Sequence, residues 1–469
     1  TVAGPITVYG GDITLNRSLS STASGPDIFL KALGSITQAS NVSVSTVGGD
    51  VTYWADSDST NGGFIWLKSG SRITTTSAAG NIVLSGGNVA DVAALASTGY
   101  ASGMTTTMGN GITIDAASLY SFGGNITLRG KSATTATSYT SSDGTTSNAN
   151  GIRVHGSVTM DAAAGKLNLW GVGQSATGSS NGIELSMLTT STSVYKSASS
   201  ATDAITFNGT ATNAAASDAW GVYLWGYSSL LASNGGGISL TGSGAKHSGV
   251  VLPAGSAVLS TGGPITLTGT GYGAGYNAVD VAGYVGLKAG SSIASSSSNV
   301  SVIGDVLSMT GNIATTGTLT VAPYSNSFAS TLVWPPSTLT LANTISGLTL
   351  GKSVNTAGIT IGSTTSIAGP INIYGGAVAV NAALNTTNTT TGDIAITTTG
   401  LTGGGGIGLA AGRGLSVTQS GSSIYMGLIS GTNSTLTKLG AGTLNLTNAS
   451  SSYSGGTTLS AGTLGIYAN

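Results

Sequence analysis

The chain has 469 residues, of which 75 are glycine, 40% are hydrophobic and only 6% are charged, and its formal net charge is −1. About a quarter of an average soluble protein is charged, so this composition argues against a compact helical enzyme, and 14 scattered Lys and Arg residues exclude the basic surface that nucleic acid requires. Cysteine is absent, which excludes disulfides and thiolate metal sites, and no cofactor is expected.

Two further exclusions come from the arrangement of the hydrophobic residues. They recur in short alternating runs, which favours a folded chain with a long core over a disordered Gly/Ser/Thr-rich tract. No apolar run approaches the length of a membrane span, so we expect no membrane insertion of this segment. Thr1 is not an initiator methionine, and the chain is therefore expected to be processed or an excerpt.

Two short phrases alternate along the first two thirds of the sequence, each with a Gly or Asn before alternating apolar positions. Copies of the first phrase begin at Gly10, Gly48, Ala79, Gly123, Ala164, Gly236 and Gly262. Copies of the second phrase begin at Gly25, Gly62, Asn110, Asn150, Asn181, Trp220, Ser248 and Asn277. Period-two alternation after a turn residue predicts a strand with one buried face, and a third, looser strand usually follows.

Three short strands per repeat predict a triangular parallel β-helix with about 12 coils, in which each strand pairs with its equivalent in the next coil. The residues taken to mark the phase are Ile13, Val51, Ile82, Ile126, Leu167, Ile205, Ile238 and Ile265, which gives coils of 27 to 44 residues. Loops of variable length at fixed corners explain this variation.

The strand pattern and the positions of the prolines divide the chain into three segments. Residues 1–320 are expected to form a β-solenoid, and the proline-containing segment 321–337 a loop or a break in register, because proline cannot donate to a strand ladder. Residues 338–469 are expected to continue as a β-solenoid with shorter coils, and residues 369–384 repeat residues 4–19 with eight of sixteen identical.

The C-terminal segment LTKLGAGTLNLTNASSSYSGGTTLSAGTLGIY, residues 436–467, resembles the passenger-associated repeat of bacterial autotransporters. The rest of the chain resembles, through its GxITL phrases and composition, the rod of filamentous-haemagglutinin-type exoproteins. The resemblance implies a right-handed parallel β-helix exported to the outside of a bacterium, where such rods mediate attachment, aggregation or biofilm formation. Neither the Asn-Pro-Asn motif of a two-partner secretion domain nor a C-terminal barrel is found in the sequence, so the export route stays open.

Catalytic and metal-binding residues are few. Asp56 and Asp58, in YWADSDSTNGGF, are the nearest approach to a glycosidase carboxylate pair and also to a calcium loop, but the Glu expected at the twelfth loop position is replaced by Leu67. His155 and His247 are isolated, and we expect both at the surface. We therefore predict no catalytic residue and no metal site, with Asp56 and Asp58 as the weak candidates for either.

Aromatic residues are the candidate ligand-binding groups, since strand alternation places several of them outward. The residues expected on an exposed aromatic face are Phe29, Trp66, Trp170, Tyr223 and Trp225. Exposed rings at strand spacing can stack on sugar faces, although side loops or other chains could equally cover them. Outward Thr and Ser columns would suit ice binding, but Arg129 and Trp170 interrupt them.

The second phrase also predicts a register. The inward column should contain Ile28, Ile65, Ile112, Ile152, Ile183, Val222, Val250 and Val279, and the outward column beside it Phe29, Trp66, Thr113, Arg153, Glu184, Tyr223, Val251 and Asp280. This register places Phe29 beside Trp66 and Arg153 beside Glu184, the only Glu of the chain.

The sequence thus predicts an extracellular rod at the bacterial cell surface, with no enzymatic activity, that acts as an adhesin or matrix component. Its expected partners are surface glycans or other cells. A self-assembling filament subunit is the main alternative, because open solenoid ends and uncharged flanks could join chains, and a polysaccharide-active β-helix enzyme is a minor one.

Overall fold

The structure is a computed structural model that describes residues 1–77, 80–105, 107–135, 139–140, 146–147, 149–186, 193–225, 227–271 and 276–467. The described residues form a right-handed parallel β-helix, as the sequence predicted. One antiparallel pair of strands, Tyr139–Thr140 with Thr146–Ser147, and one six-residue helix, Val92–Ser97, stand apart from the parallel coils that are described. None of the described helices has the length and apolar character needed to cross a bilayer.

Contacts between Cα atoms divide the chain into two units. Unit 1 comprises Thr1–Tyr284 and Lys288–Ala294, and unit 2 comprises Val285–Leu287 and Ser295–Asn469.

Unit 1 has three parallel sheets, one for each side of the coil. Sheet A contains Ile6–Gly10, Ile28–Ala32, Val51–Ala55, Ile82–Gly86, Ala101–Ser102, Ile126–Lys131, Leu167–Gly173, Ile205–Ala211, Ile238–Ser243 and Ile265–Thr270. Sheet B contains Ile13–Leu15, Ile36–Gln38, Ile65–Leu67, Ile112–Asp115, Ile152–His155, Ile183–Ser186, Val222–Leu224, Val250–Leu252 and Val279–Val281. Sheet C contains Leu19–Ser24, Ser43–Val47, Arg72–Thr75, Ser118–Ser121, Thr159–Asp161, Val194–Ser197, Ser229–Ala232 and Ala257–Ser260, and the strand Tyr284–Gly286 falls at the division between the units.

Unit 2 repeats this organisation with shorter coils. Sheet D contains Val300–Ile303, Thr318–Ala322, Gly347–Gly351, Ile371–Tyr374, Ile394–Thr398, Gly414–Gln419, Thr435–Leu439 and Thr457–Leu459. Sheet E contains Leu332–Trp334, Ile359–Ile361, Ala377–Val380 and Gly400–Thr402, sheet F contains Ser422–Tyr425, Thr443–Leu446 and Thr463–Ile466, and sheet G contains Thr365–Ile367, Leu384–Thr386, Ile407–Gly408, Ile429–Gly431 and Ser452–Tyr453. The remaining strands of the unit are Leu307–Met309, Asn312–Ile313 and Thr340–Leu341.

The core of unit 1 is built from aligned columns of aliphatic side chains. The predicted column is confirmed for seven residues, Ile65, Ile112, Ile152, Ile183, Val222, Val250 and Val279, which follow one another in register and have no exposed surface. The outward register is confirmed as well, since Arg153 and Glu184 are direct partners on adjacent strands. Each coil contributes only a few buried side chains, so the continuous core exists only because the coils stack.

The predicted register is wrong at the N-terminus. Ile28 is buried, but it lies in sheet A, where it pairs with Ile6 and Val51, and Ile13 lies in sheet B, where it pairs with Ile36. Phe29 is therefore not beside Trp66, whose partner is Thr37. The two phrases share the same Gly-then-alternating pattern, and this pattern defines a strand without defining the side of the triangle to which it belongs.

The number of coils is also larger than predicted. In the described residues, nine successive coils of unit 1 contribute a full strand to sheet A, and eight strands form sheet D in unit 2, so about 12 was too few. Short coils account for the difference. The first two sheet A intervals, from Ile6 to Ile28 and from Ile28 to Val51, are 22 and 23 residues, and the intervals in sheet D range from 19 to 29 residues.

The proline-containing segment 321–337 includes the sheet E strand Leu332–Trp334, which pairs in parallel with Ile359–Ile361. The division between the two units falls earlier in the chain, at residues 285–295. The duplicated segments 4–19 and 369–384 adopt equivalent positions within their own units, because each begins with a strand of the first sheet, Ile6–Gly10 or Ile371–Tyr374, and continues into the second.

Candidate ligand-binding surface

The outer face of sheet B holds a group of aromatic side chains, here called the aromatic strip: Trp220, Tyr223, Trp225, His247 and Tyr276. Tyr223 is the central residue of the strand Val222–Leu224, whose two flanking side chains are buried in the core, so Tyr223 points outward. Trp220 lies at the corner before this strand and Trp225 directly after it. The strip therefore crosses the full width of the sheet.

The rings of the strip contact one another in sequence. Trp220 stacks on Tyr223, with ring centroids 4.7 Å apart and planes at 16°, and lies 4.6 Å from the ring of His247. Trp225 meets Tyr223 edge to face at 5.1 Å, and Tyr276 meets His247 in the same way at 4.7 Å. These separations are those of favourable aromatic pairs, so the five rings form one continuous group.

A ladder of asparagine side chains supports the strip from the corner between sheets A and B. The Asn110 Oδ1 accepts from the backbone N–H of Asn150, the Asn150 Oδ1 accepts from that of Asn181, and the Asn181 Oδ1 accepts from that of Trp220. The Glu184 Oε2 accepts from the side-chain amides of Asn150 and Asn181, at 2.7 and 3.0 Å. The ladder therefore fixes the backbone position of Trp220 relative to three preceding coils.

The surroundings of the strip are acidic. Burial raises the pKa of Tyr223 well above its usual value, and the negative charges of Glu184, Asp218 and Asp280 add to this increase. The Nε2 of His247 lies 3.5 Å from Asp218 Oδ1. Burial is the main reason that the pKa of His247 is lowered from its usual value, while Asp218 acts in the opposite direction.

Exposure differs between the middle and the ends of the strip. Trp220, Tyr223 and His247 are half-buried, whereas Trp225 is 47% exposed and Tyr276 is 38% exposed. The rings in the middle thus support the strip, and the rings at the two ends are the more exposed ones.

The other predicted aromatic residues lie elsewhere. Phe29 is half-buried on sheet A, with its ring 6.2 Å from those of Tyr9 and Trp54, and packs against a cluster that includes Leu95 of the short helix. Trp170, also on sheet A, is half-buried, and its ring lies 4.9 Å from the guanidinium of Arg129. These two side chains pack within unit 1 and are not part of the strip.

Trp66 lies on the outer face of sheet B but several coils away from the strip. Its Nε1 donates to Asp115 Oδ2 at 2.9 Å, the Nζ of Lys68 lies 4.1 Å from its ring, and it packs against Phe64 and Met108. Phe64 is buried, because Met108 packs against it. The ring of Trp66 is therefore partly covered by neighbouring side chains of its own unit.

The weak catalytic and metal candidates are placed separately. Asp56 is buried, which raises the pKa of its carboxyl, whereas the Asp58 Oδ1 accepts from the Thr60 N–H in an exposed turn. Among the described residues, no group of three or more His, Asp or Glu side chains is arranged to hold a metal ion. His155 is buried, contrary to expectation, and lies 3.9 Å from Asp115.

The sequence reasoning found Tyr223 and Trp225 and missed Trp220, His247 and Tyr276. Strand alternation gives no direction for residues at a corner, so it could not place these three. The spacing of His247 and Tyr276 could have predicted their contact, because each lies three residues before the first residue of a sheet B strand, Val250 or Val279. Equivalent positions in successive coils are neighbours in a solenoid.

Comparison with known proteins gives one match. Residues 436–466 match the family model of the passenger-associated transport repeat. No curated protein and no solved structure matches the chain. The matched residues form strands of sheets D, F and G in unit 2. The match is consistent with the parallel coils, because the repeat belongs to β-helices. The C-terminal coils are thus similar to the passenger-associated transport repeat.

Proposed function

We propose that the chain is part of a cell-surface-exposed bacterial β-solenoid rod that acts as an adhesin or as a component of the extracellular matrix. Attachment to surface glycans or other cells, cell aggregation and biofilm formation are the activities of such a rod. The observation that supports this proposal most is the open aromatic strip on a parallel β-helix whose residues 436–466 match the passenger-associated transport repeat. The filamentous-haemagglutinin-type resemblance of the remaining coils points to the same function.

The proposal includes the absence of catalysis. Asp56 is buried and Asp58 lies in an exposed turn, and hydrolysis of a glycosidic bond requires two carboxyl groups that face one groove. Purified protein should therefore release no reducing ends from bacterial or host polysaccharides. Turnover that is abolished in Asp56→Asn or Asp58→Asn would contradict this part of the proposal.

A filament subunit is the second candidate. It is supported by the low charge of the chain, because 29 charged residues in 469 leave little electrostatic repulsion between the flanks of two rods. Electron micrographs of purified protein distinguish the two functions: an adhesin gives discrete rods, and a filament subunit gives long uniform fibres.

The adhesive function is tested by displaying the chain on a non-adherent bacterium. Display should increase attachment to other cells or cell aggregation several-fold over the same strain carrying the empty display vector. Resistance of the displayed chain to trypsin would first establish that it is folded. A folded, displayed chain that changes neither attachment nor aggregation would contradict the proposal.

A further inference from the structure

We propose that the aromatic strip on sheet B is a binding site for an uncharged saccharide chain, with Trp225 and Tyr276 as the rings that contact sugar. This inference rests on the proposed adhesive function and names the class of ligand. It depends on the ring geometry, the polar groups beside the rings and the sign of the surrounding charge.

The ring geometry separates supporting from contacting residues. The ring of Trp220 contacts two protein rings, those of Tyr223 and His247, whose centroids lie 4.7 and 4.6 Å away. In the part of the chain that the structure describes, Trp225 contacts the other rings through its T-shaped pair with Tyr223, and Tyr276 through its T-shaped pair with His247. The two end rings are held by the stack and keep a large exposed area, which is the arrangement of a preorganised platform.

The polar groups beside the rings favour a sugar over an apolar protein surface. A pyranose ring has one face of C–H groups, which packs on an aromatic ring, and a rim of hydroxyl groups, which donate hydrogen bonds to carboxylates. The charges of Asp218 and Asp280 act on Tyr223, and both side chains are partly exposed; Asp218 lies beside His247, and Asp280 lies two strands from Tyr223, beyond Val251. An apolar partner would take these carboxylates out of water, which is costly, whereas a saccharide supplies hydroxyl donors to their remaining lone pairs.

The charge of the surroundings selects against acidic sugars. Glu184, Asp218 and Asp280 act on Tyr223, and all three raise its pKa, while Lys246 and His247 are the basic residues that act at the other end of the strip. The Nζ of Lys246 donates to the backbone carbonyl of Ala216. The Oδ1 of Asp218 lies 3.5 Å from the Nε2 of His247. Arg153 lies beside Glu184 on the adjacent strand, so Asp218 and Asp280 are the carboxylates that leave the surroundings of Tyr223 negative, and their charge repels sialylated, uronic or sulfated glycans.

Glu184 contributes charge and position rather than a direct contact. Its Oε2 already accepts from the amides of Asn150 and Asn181, which places it in the ladder that supports Trp220. Asp218 also has an internal partner, since its Oδ2 accepts from the Ser179 hydroxyl at 2.7 Å. That bond orients the carboxylate and leaves its Oδ1 beside His247 at the surface.

The test uses the purified full chain on a glycan array that contains uncharged, sialylated, uronic and sulfated saccharides. We expect binding to uncharged chains and none to the acidic ones. Trp225→Ala and Tyr276→Ala should each weaken binding about tenfold, as loss of a central aromatic contact does. Tyr324→Ala, which removes a 56% exposed tyrosine from unit 2, is the matched control and should leave binding unchanged.

Asp218→Asn with Asp280→Asn provides an independent readout. The natural chain should reject acidic glycans, and loss of both charges should allow these glycans to bind. Retained circular dichroism and trypsin resistance would show that each variant is folded, and the exposed positions of Trp225 and Tyr276 make this the expected result.

Several outcomes would overturn the inference: no glycan binding at all, binding only to acidic glycans, or binding that survives the double variant Trp225→Ala with Tyr276→Ala. Cell attachment that persists in this double variant overturns the site and leaves the adhesive function standing. Glycan binding by the purified protein without attachment of the displaying cells would support the site and contradict the adhesive function. The two proposals therefore fail separately.

Discussion

Lys438 is a charged residue with no exposed surface, inside the segment that matches the passenger-associated repeat. It occupies an inward position of the strand Thr435–Leu439, in register with Val417 and Leu459. Its ammonium group donates to the backbone carbonyls of Leu439 and Gly440 at 2.7 and 2.9 Å, while burial lowers its pKa. The side chain thus fills the core with its aliphatic stem and satisfies two carbonyls at the corner.

We predict that Lys438→Ala lowers the local free energy of unfolding of this coil by about 2–4 kcal/mol, because it removes buried methylene groups and leaves two carbonyls without a donor. Hydrogen exchange of the Leu436 and Leu444 amides measures this local quantity. Lys352→Ala is the matched control, since the Nζ of Lys352 reaches the Tyr324 carbonyl at 3.4 Å in an exposed setting. Equal exchange in both variants would contradict the role given to Lys438.

His247 offers a test of the electrostatics of the strip. Trp220, Tyr276, Asp218 and Lys246 surround its ring, and burial lowers its pKa below the ordinary 6.5. The folded state therefore binds fewer protons than the unfolded state in this range, and the contribution of His247 to stability falls as the pH drops through 6.5 towards the lowered value.

We expect an NMR titration to give His247 a pKa below 6.5, and Asp218→Asn to lower it further, because the Asp218 carboxylate favours the protonated ring. The chain has two histidines, so His247→Gln identifies the signal. A rise of the pKa in Asp218→Asn would show that the carboxylate does not act on the ring as the structure indicates.

The asparagine ladder links the strands of successive coils through hydrogen bonds. Asn110, Asn150 and Asn181 each use a side-chain carbonyl to accept from the backbone of the next coil, so the side chains extend the strand ladder into the corner. All three are buried, and a buried acceptor lost at this position leaves a backbone N–H without a partner.

We predict that Asn181→Ala destabilises the coils around Trp220 by about 1–3 kcal/mol, the cost of an unsatisfied buried donor. It should also weaken saccharide binding, because Trp220 supports the rings at both ends of the strip. Thermal unfolding followed by circular dichroism and the glycan array measure the two effects. Asn208→Ala, on the outer face of sheet A, is the control and should change neither.

The elements also show what sequence patterns can and cannot predict. The columns from Ile65 to Val279 were predictable because the period of two and the preceding Asn or Gly define both the strand and its phase. Ile13 and Ile28 were assigned to the wrong sheets because neighbouring sides of the triangle carry the same phrase. The aromatic strip was only partly predictable, because His247 and Tyr276 lie at corners, where ring contacts between coils and not strand alternation set their directions.

At the scale of the whole molecule, stability comes from the repetition of uncharged contacts. The fully buried side chains of both units are mostly aliphatic, and the outward columns of the sheets are rich in Thr and Ser. In the described parts of the chain, Lys166 pairs with Asp203 and Arg413 with Asp393, and the side chains of both pairs are partly exposed. Exposed pairs contribute little, so electrostatics is a minor part of the stability.

This balance predicts how salt affects unfolding. Raising sodium chloride from about 0.02 to about 0.5 M screens exposed charges, and we expect the unfolding temperature to change very little because only 6% of the residues are charged. Sodium sulfate at the same ionic strength should raise the unfolding temperature, because sulfate is excluded from protein surfaces and strengthens the burial of apolar groups. Differential scanning calorimetry in the two salts measures both effects. A fall in sodium chloride as large as the rise in sulfate would mean that charged contacts, rather than the stacked aliphatic columns, hold the coils together.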